Sequence, residues 1–404
     1  MPFQIALSGL NAASADLNVT ANNIANVNTT GFKSSRAEFA DLFPISAYGV
    51  SSTATGGGVR TSRVAQQMSQ GSVNTTGSTL DMAISGEGFF TLSDNGAMVY
   101  TRAGAFGTDK NGYVVNAAGQ RLQVFPPTAN GSFDTARLAD LQLSTSTNPP
   151  LASTKIDANI NLPSNADAPA TASFDATDPT SYNYTRSVLV YDSLGTSHQA
   201  SLYYAKGATA NTWDVHVQID GADAGSSTLT YSDSGKLLTP ANGQVSLPAY
   251  TPDNGAATMN LKLNMADSTQ YGEDFAVNSL KQDGYTTGSL TTIEITGEGI
   301  VQARYTNGQA TPLGQVALAR FPNPQGLQQL GDTSWGETYA AGQPIRGSGD
   351  SPNFGAIQAG ALEGSNVDLS AQLVNMITAQ RNYQANAQMI STADQITQTI
   401  INIR

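Results

Sequence analysis

Two histidines are the only imidazoles in this 404-residue chain, and His198 and His216 both fall in a stretch of alternating apolar and polar residues. A histidine pair on neighbouring strands can begin a metal site, but zinc asks for further ligands at recognisable spacing, and none follows here. They read as ordinary strand residues. The 31 carboxylates are scattered, and no apolar pocket motif sets two of them apart as an acid and a base. Gly56-Gly57-Gly58 lacks the lysine and hydroxyl of a phosphate loop and precedes no convincing helix, so it reads as a linker. No Gly-x-Ser-x-Gly elbow occurs, and the absence of cysteine excludes thiol catalysis, thiolate metal sites and a disulfide scaffold. The sequence offers no catalytic site and no place for a cofactor.

The chemistry that the spacing does support is association. Phe3, Leu7, Leu10, Ser14, Leu17, Ala21 and Ile24 step by four and three, as do Leu369, Leu373, Met376, Gln380, Tyr383, Ala387 and Ile390. That is the seam of a helix packing along another helix. Both segments are nearly uncharged. Up to Phe32 the only ionisable side chain is Asp16, and from Leu369 onward there are only Arg381, Asp394 and Arg404. Surface helices ordinarily carry Lys and Glu on the solvent face. At about 100° per residue, Ile5, Ala12 and Val19 fall opposite the first stripe, while Ile396, Ile400 and Ile403 lie far from Leu369 and Leu373. Pairing the two ends buries one face of each helix, and the second face needs a further partner. The chain therefore reads as a subunit whose terminal helices pack against those of its neighbours. The plainer alternative is a globular protein with both helices in its core.

Composition agrees with assembly. Charged residues make up 12%, Gly, Ala, Ser, Thr and Asn abound, and the net charge is −12 without a basic cluster. Nucleic-acid binding has no electrostatic footprint in such a chain. No stretch approaches the ~20 apolar residues of a membrane span, and the start lacks the basic flank and apolar block of a cleaved signal peptide.

Between the ends the period changes to two. The first helix is expected to stop between Asn26 and Gly31, and a Ser/Thr/Gly-rich connector follows over 31–80, with Gly31, Phe32, Gly56, Gly57 and Gly58 as its connector residues. Phe89–Leu92 and Met98–Thr101 flank Asp94-Asn95-Gly96, the signal of a tight hairpin. Residues 151–280 read as a separate β unit with 13 acidic and 5 basic residues, which carries most of the net charge and suits the most exposed part of the molecule. Strands resume after Gly284, and Gly297-Glu298-Gly299-Ile300 echoes Gly86-Glu87-Gly88-Phe89, which predicts similar strand-entry geometry. A residue within Ser365–Asp368 caps the last helix.

The expected fold is mainly β with α-helical termini, nested. An antiparallel terminal helix pair (1–30 with 366–404) leads through the connector to an inner β domain (81–150 with 281–365), which carries an inserted outer β domain (151–280).

The motifs match a known family. Leu10-Asn11-Ala12-Ala13, Asn22-Asn23-Ile24-Ala25-Asn26 and Thr30-Gly31-Phe32-Lys33 resemble the N-terminal signature of the flagellar rod, hook and hook-associated axial proteins. Ser365-Asn366-Val367-Asp368-Leu369, Met376-Ile377 and Gln380-Arg381-Asn382-Tyr383-Gln384-Ala385-Asn386 resemble their C-terminal signature. Gly86-Glu87-Gly88-Phe89-Phe90, Tyr100-Thr101-Arg102-Ala103-Gly104 and Leu313–Phe321 are similar to the family's interior, whereas the outer segment matches loosely. Length and the large insertion place the chain with the hook members, and a distal rod subunit is the alternative. The resemblance implies a homopolymer, a helical tube acting as a universal joint between rod and filament. It also implies a rod protein at the proximal end, a hook-associated junction protein at the distal end, a hook cap, and export by the flagellar type III apparatus to the outside of the cell without signal cleavage. An unrelated secreted glycan hydrolase would need convergent carboxylates, which the sequence does not show.

Overall fold

Why a chain with so little charge at its ends makes two long helices is plain from their content. The computed structural model describes residues 2–43, 56–128, 130–143 and 146–402. It places α1 at Pro2–Ala25 and α2 at Leu369–Asn402, with many short strands between them. Ala, Leu, Gln and Met supply helix propensity, and at ~1.5 Å per residue the helices run about 36 and 51 Å. The first helix ends where Asn26, Asn28, Thr29 and Thr30 take over, and Gly31 sits at φ 69°, the left-handed region that closes such a terminus. Asp368 caps α2, its carboxylate accepting from the Ala371 N–H at 3.1 Å. The helices run antiparallel. Asn23 meets Gln372 near one end, and Gly9 meets Asn386 near the other.

The chain forms two compact units. The first comprises Met1–Thr145, Thr292–Ala303 and Ala310–Arg404, and holds both helices. After α1, β1 (Ser35–Leu42) pairs antiparallel with β2 (Gly58–Gln66), and both pack on α1. This replaces part of the expected connector, and residues 44–55 of that passage lie outside the described residues. Its Ser/Thr-rich composition concealed the strand, although Val59, Thr61 and Val64 supply the β-branched content that pairing needs. β3 (Val73–Thr75) and β4 (Met82–Ser85) pair with Ala361–Glu363 and Ala356–Ala359, so the returning chain is stitched beside the departing one.

The hairpin of β5 (Phe89–Asp94) and β6 (Ala97–Thr101) turns at Asn95-Gly96 and lies mid-sheet. Across that sheet run Ala310–Val316, Arg121–Phe125, β5, β6, Ser334–Gly336 and Gln328–Gly331. Successive strand residues face opposite ways, so adjacent Phe89 and Phe90 enter different cores. Phe90 joins Met82, Ile84, Leu92, Leu122 and Val316, while Phe89 meets Phe321 and Trp335, and Tyr100 meets Phe321, in edge-to-face ring contacts. The two Gly-Glu-Gly entries differ. Gly86 and Gly88 both have positive φ and carry the chain from β4 to β5, whereas at the second entry Gly299 closes a turn onto Thr296 and Gly297 has no positive φ. A three-residue echo does not fix backbone geometry when the strands that it joins differ.

The second unit, Ser146–Thr291 with Arg304–Gln309, is a two-sheet β fold with its own core. One sheet runs Tyr184–Tyr191, Ser197–Lys206, Thr212–Ile219, Ala222–Tyr231 and Leu237–Thr239; the other holds Lys155–Asn161 between Lys262–Asn264 and Ala276–Gln282. Strict alternation along Thr212–Ile219 sends Trp213, Val215, Val217 and Ile219 inward and Thr212, Asp214, His216 and Gln218 outward.

Candidate functional site

A charged knot sits where both helices leave the body of the first unit. Lys33, eight residues past α1, and Glu363, six before α2, meet at 2.6 Å with side chains 1% and 0% exposed. Arg102, just after β6, reaches the same carboxylate at 3.2 Å. The Gly71 N–H also donates to Glu363 at 2.9 Å, Lys33 donates to the Ser69 carbonyl at 2.7 Å, and Arg102 donates to the Gly86 carbonyl at 2.8 Å. One buried anion thus serves two buried cations. Burial depresses the Lys33 ammonium most, Glu363 opposes that, and the Arg102 charge adds to the depression. The arrangement ties together the two points from which the terminal helices depart.

Two asparagines complete the junction. Asn23 of α1 accepts from the Ser35 N–H and donates to the Ser35 carbonyl, both at 2.8 Å, and donates to Gln372 of α2 at 3.2 Å. Asn366 accepts from the Ser34 N–H and donates to the Gln67 carbonyl, both at 2.7 Å. Gly31 donates its N–H to the Glu363 carbonyl at 2.8 Å, and any side chain there would strike the Ala103 backbone. Phe32 accepts from the Asn366 N–H at 3.4 Å, so Gly31 and Phe32 are parts of this junction. Gly58 (φ 111°) lies against Ser8 and Ile5, where a Cβ would collide with the Ser8 hydroxyl, and Gly57 bonds Leu42. Gly56 begins the return passage, where an added Cβ would lie 3.8 Å from the Leu42 carbonyl oxygen.

The helix seams differ from the apolar stripes. Along α1 the buried or half-buried row is Ala6, Gly9, Ala13, Asp16, Thr20 and Asn23, again at heptad spacing but small and polar. Burial raises the Asp16 carboxyl above its ordinary range. Along α2 it is Gln372, Met376, Ala379, Asn386, Ile390 and Ala393. Small residues let the backbones approach, as at Gly9 beside Asn386. Phe3 (50% exposed), Leu7 (41%), Leu373 (41%) and Ile377 (49%) point away from the pair, and Leu369, Tyr383, Ile396 and the margin of Ile5 are exposed too. Leu10, Leu17, Val19 and Ile24 are half-buried, as are Met376 and Ile390, and Ala12 is buried. The far side of the Ile400 position is not described at side-chain level, and Ile403 lies outside the described residues. The periodicity was sound for helix, but the largest residues do not mark the intramolecular seam, because close helix contact selects for small ones.

The sequence did not single out Glu363, Arg102 or Asn366 as partners. Arg102 and Asn366 stand within the family motifs, which do not tell what they bond, and Glu363 is locally an isolated charge between Leu362 and Gly364. His198 and His216 do not converge: His198 lies between Asp192 and Asp220, and His216 stacks on Phe174 with ring centroids 4.0 Å apart. No helix among the described residues is long and apolar enough to cross a membrane.

Comparison with known proteins decides the kinship. Residues 3–33 match the family model for flagella basal body rod proteins, 83–175 that for the flagellar hook protein FlgE/F/G D1 domain, 161–285 that for the flagellar basal body protein FlaE D2 domain, and 358–403 that for the flagellar basal body rod FlgEFG protein C-terminal region. The flagellar hook protein FlgE of Salmonella typhimurium is 39% identical, with 100% of each chain covered. The chain belongs to the flagellar hook protein family. That of Escherichia coli is likewise 39% identical over 100% of both chains. In fold, this hook-family chain is similar to the Helicobacter pylori flagellar hook protein FlgE2, with a TM-score of 0.55, 16% identity, and coverage of 72% of this chain and 100% of the other. The family is a structural one, and the match at both termini falls on the helices and the knot that holds them.

Proposed function

We propose that this chain polymerises through its terminal helices into the tubular hook, a flexible joint that passes torque from rod to filament. The observation that carries this reading is that α1 and α2, already paired with each other, still present Phe3, Leu7, Leu369, Leu373, Val374 and Ile377 to solvent. Apolar faces of that size on a soluble chain call for a partner. A second copy supplies one, because the apolar helix faces of neighbouring copies can cover one another, and a heterologous contact that does not close builds a helical filament. The proposed neighbours are a rod protein at the proximal end, a hook-associated junction protein at the distal end, and the hook cap during growth. Export through the flagellar type III apparatus to the cell exterior, without cleavage of a signal, belongs to the same reading. Free subunits with these faces uncovered gain little helix stability from charge pairs, so both ends are expected to order fully on assembly.

The first unit, held by the Glu363 knot, sets the helices' angle of departure, while the acidic second unit forms the outer layer, where weak, wet contacts can be remade as the tube bends. Electron micrographs of purified protein at high concentration test the proposal. Curved tubes are expected from the intact chain, and no tubes from a chain lacking 1–25 and 370–404. A straight, rigid polymer would favour the rod alternative. Deleting 151–280 should leave tubes that assemble but bend abnormally; loss of assembly in that deletion would refute the assignment of layers.

A further inference from the structure

His198, 8% exposed on the strand Ser197–Lys206, is caught between two carboxylates. Its Nδ1 lies 2.5 Å from Asp220 Oδ2 and its Nε2 lies 3.3 Å from Asp192 Oδ2. A neutral imidazole has one N–H, so in either tautomer one ring nitrogen would aim a lone pair at a carboxylate oxygen. Only the imidazolium satisfies both contacts.

The two carboxylates anchor other segments. Asp192, fully buried, accepts from the Leu194 and Thr196 N–H groups at 2.8 Å and from Asn254 Nδ2 at 2.5 Å. Asp220 accepts from the Gln199 N–H at 2.9 Å and from the Tyr250 hydroxyl at 3.3 Å, and the Tyr250 ring stands edge-on to His198. The loop that carries Tyr250 and Asn254 pairs backbone to backbone at Tyr250 and Met259. Its tip is tied down by side chains: Asn254 also donates to the Thr196 hydroxyl at 3.1 Å, and the Ala257 N–H donates to the Ser193 hydroxyl at 2.9 Å.

We propose that His198 is a proton-controlled latch in the second unit: its imidazolium holds Asp192 and Asp220, and through them the tip of the 250–257 loop, and loss of the proton frees that tip. Deprotonation leaves Asp192 buried with neutral donors only, and the strain is relieved most easily where the chain is held by side chains. The titratable groups facing the site are Asp192 from the turn before the histidine strand, Asp220 from the turn after Thr212–Ile219, and Tyr250 from the loop, with Asp253 acting on Tyr250. Burial works against the charge on His198, but the bonds to Asp220 and Asp192 outweigh it and hold its proton above the ordinary histidine range. His216 is shifted the other way by burial, so the second histidine is an internal reference.

The sign follows by linkage. The latch contributes fully below the ordinary histidine value of about 6.5 and is lost as pH rises through the higher folded value. Over that interval the open population of the loop should grow by up to about tenfold per pH unit.

The test is an NMR titration of both histidines in the full-length monomer, with amide-exchange protection of 250–257 followed from pH 5 to 9 and corrected for intrinsic exchange. We expect His198 to titrate above about 6.5 and His216 below it, with protection of 250–257 falling in step with His198. His198→Gln should flatten the pH dependence of the loop. Asp220→Asn, an independent variant if the first folds poorly, should move the His198 titration downward. Titration of His198 at or below that of His216, or constant loop protection through its titration, would overturn the proposal.

Discussion

Replacing Glu363 by Gln should destabilise the first unit and leave the second alone. The substitution keeps the shape of the side chain but strips the single anion from a site that holds Lys33 at 2.6 Å and Arg102 at 3.2 Å, all three nearly or fully buried. Removing one partner of a buried ion pair costs roughly 3–5 kcal/mol because the other charge is left uncompensated. Here two cations are left, so the upper part of that range is expected. Lys33→Met is the informative contrast. It leaves Arg102 paired one to one with Glu363 and forfeits the Lys33 bond to Ser69, a loss of about 1–3 kcal/mol. The chain has two tryptophans, Trp335 in the first unit and Trp213 in the second, so fluorine-labelled tryptophan gives each unit its own NMR signal during urea unfolding. In Glu363→Gln the Trp335 transition should move to lower urea while that of Trp213 stays. A Trp335 shift worth less than about 1 kcal/mol, below the range for a broken buried pair, or a Lys33→Met effect as large as that of Glu363→Gln, would refute the charge argument.

Other consequences can be measured directly. Leu7→Asp combined with Leu373→Asp alters two exposed positions, so the urea midpoint of the monomer should change by less than about 0.5 kcal/mol per site, while sedimentation should show that polymer formation is lost. Gly31→Ala places a Cβ at φ 69° against the Ala103 backbone and should cost the first unit about 2–4 kcal/mol, seen as an earlier Trp335 transition. Asp192 is held down to about 2 although burial alone would raise it, because Asn254, Thr196 and His198 bond its charged form. A depressed carboxylate contributes stability above its ordinary value and loses it as pH falls. The Trp213 signal should therefore report weakening of the second unit as pH drops from about 4 toward 2, and Asp192→Asn should lessen that dependence, the rest coming from the other depressed carboxylates of the unit such as Asp220 and Asp283.

Local patterns showed much of this protein in advance. Heptad spacing gave two helices, alternation in Thr212–Ile219 gave a half-buried strand, and Asn95-Gly96 gave a hairpin, because each depends on residues close in sequence. The near absence of charge on the terminal segments marks the helix faces that the proposed polymer would cover. Other features were not legible. Ser35–Leu42 and Gly58–Gln66 read as connector because Ser and Thr suit loops and strands alike, and their pairing with each other and packing on α1 make them a ladder. Phe3 and Leu7 look like the heart of a helix seam, yet Ala6, Gly9 and Ala13 are the buried row, since how closely two helices approach is settled by the pair. Glu363 reads as one carboxylate among 31; its role depends on Lys33 being 330 positions away in sequence and 2.6 Å away in space. The sequence by itself determined which segments are helical, which alternate, and that the ends are apolar beyond what one chain can hide. Only the tertiary structure decided which face of each helix stays open and which charges share the interior, because burial and electrostatic pairing are properties of residues brought together, not of residues in order.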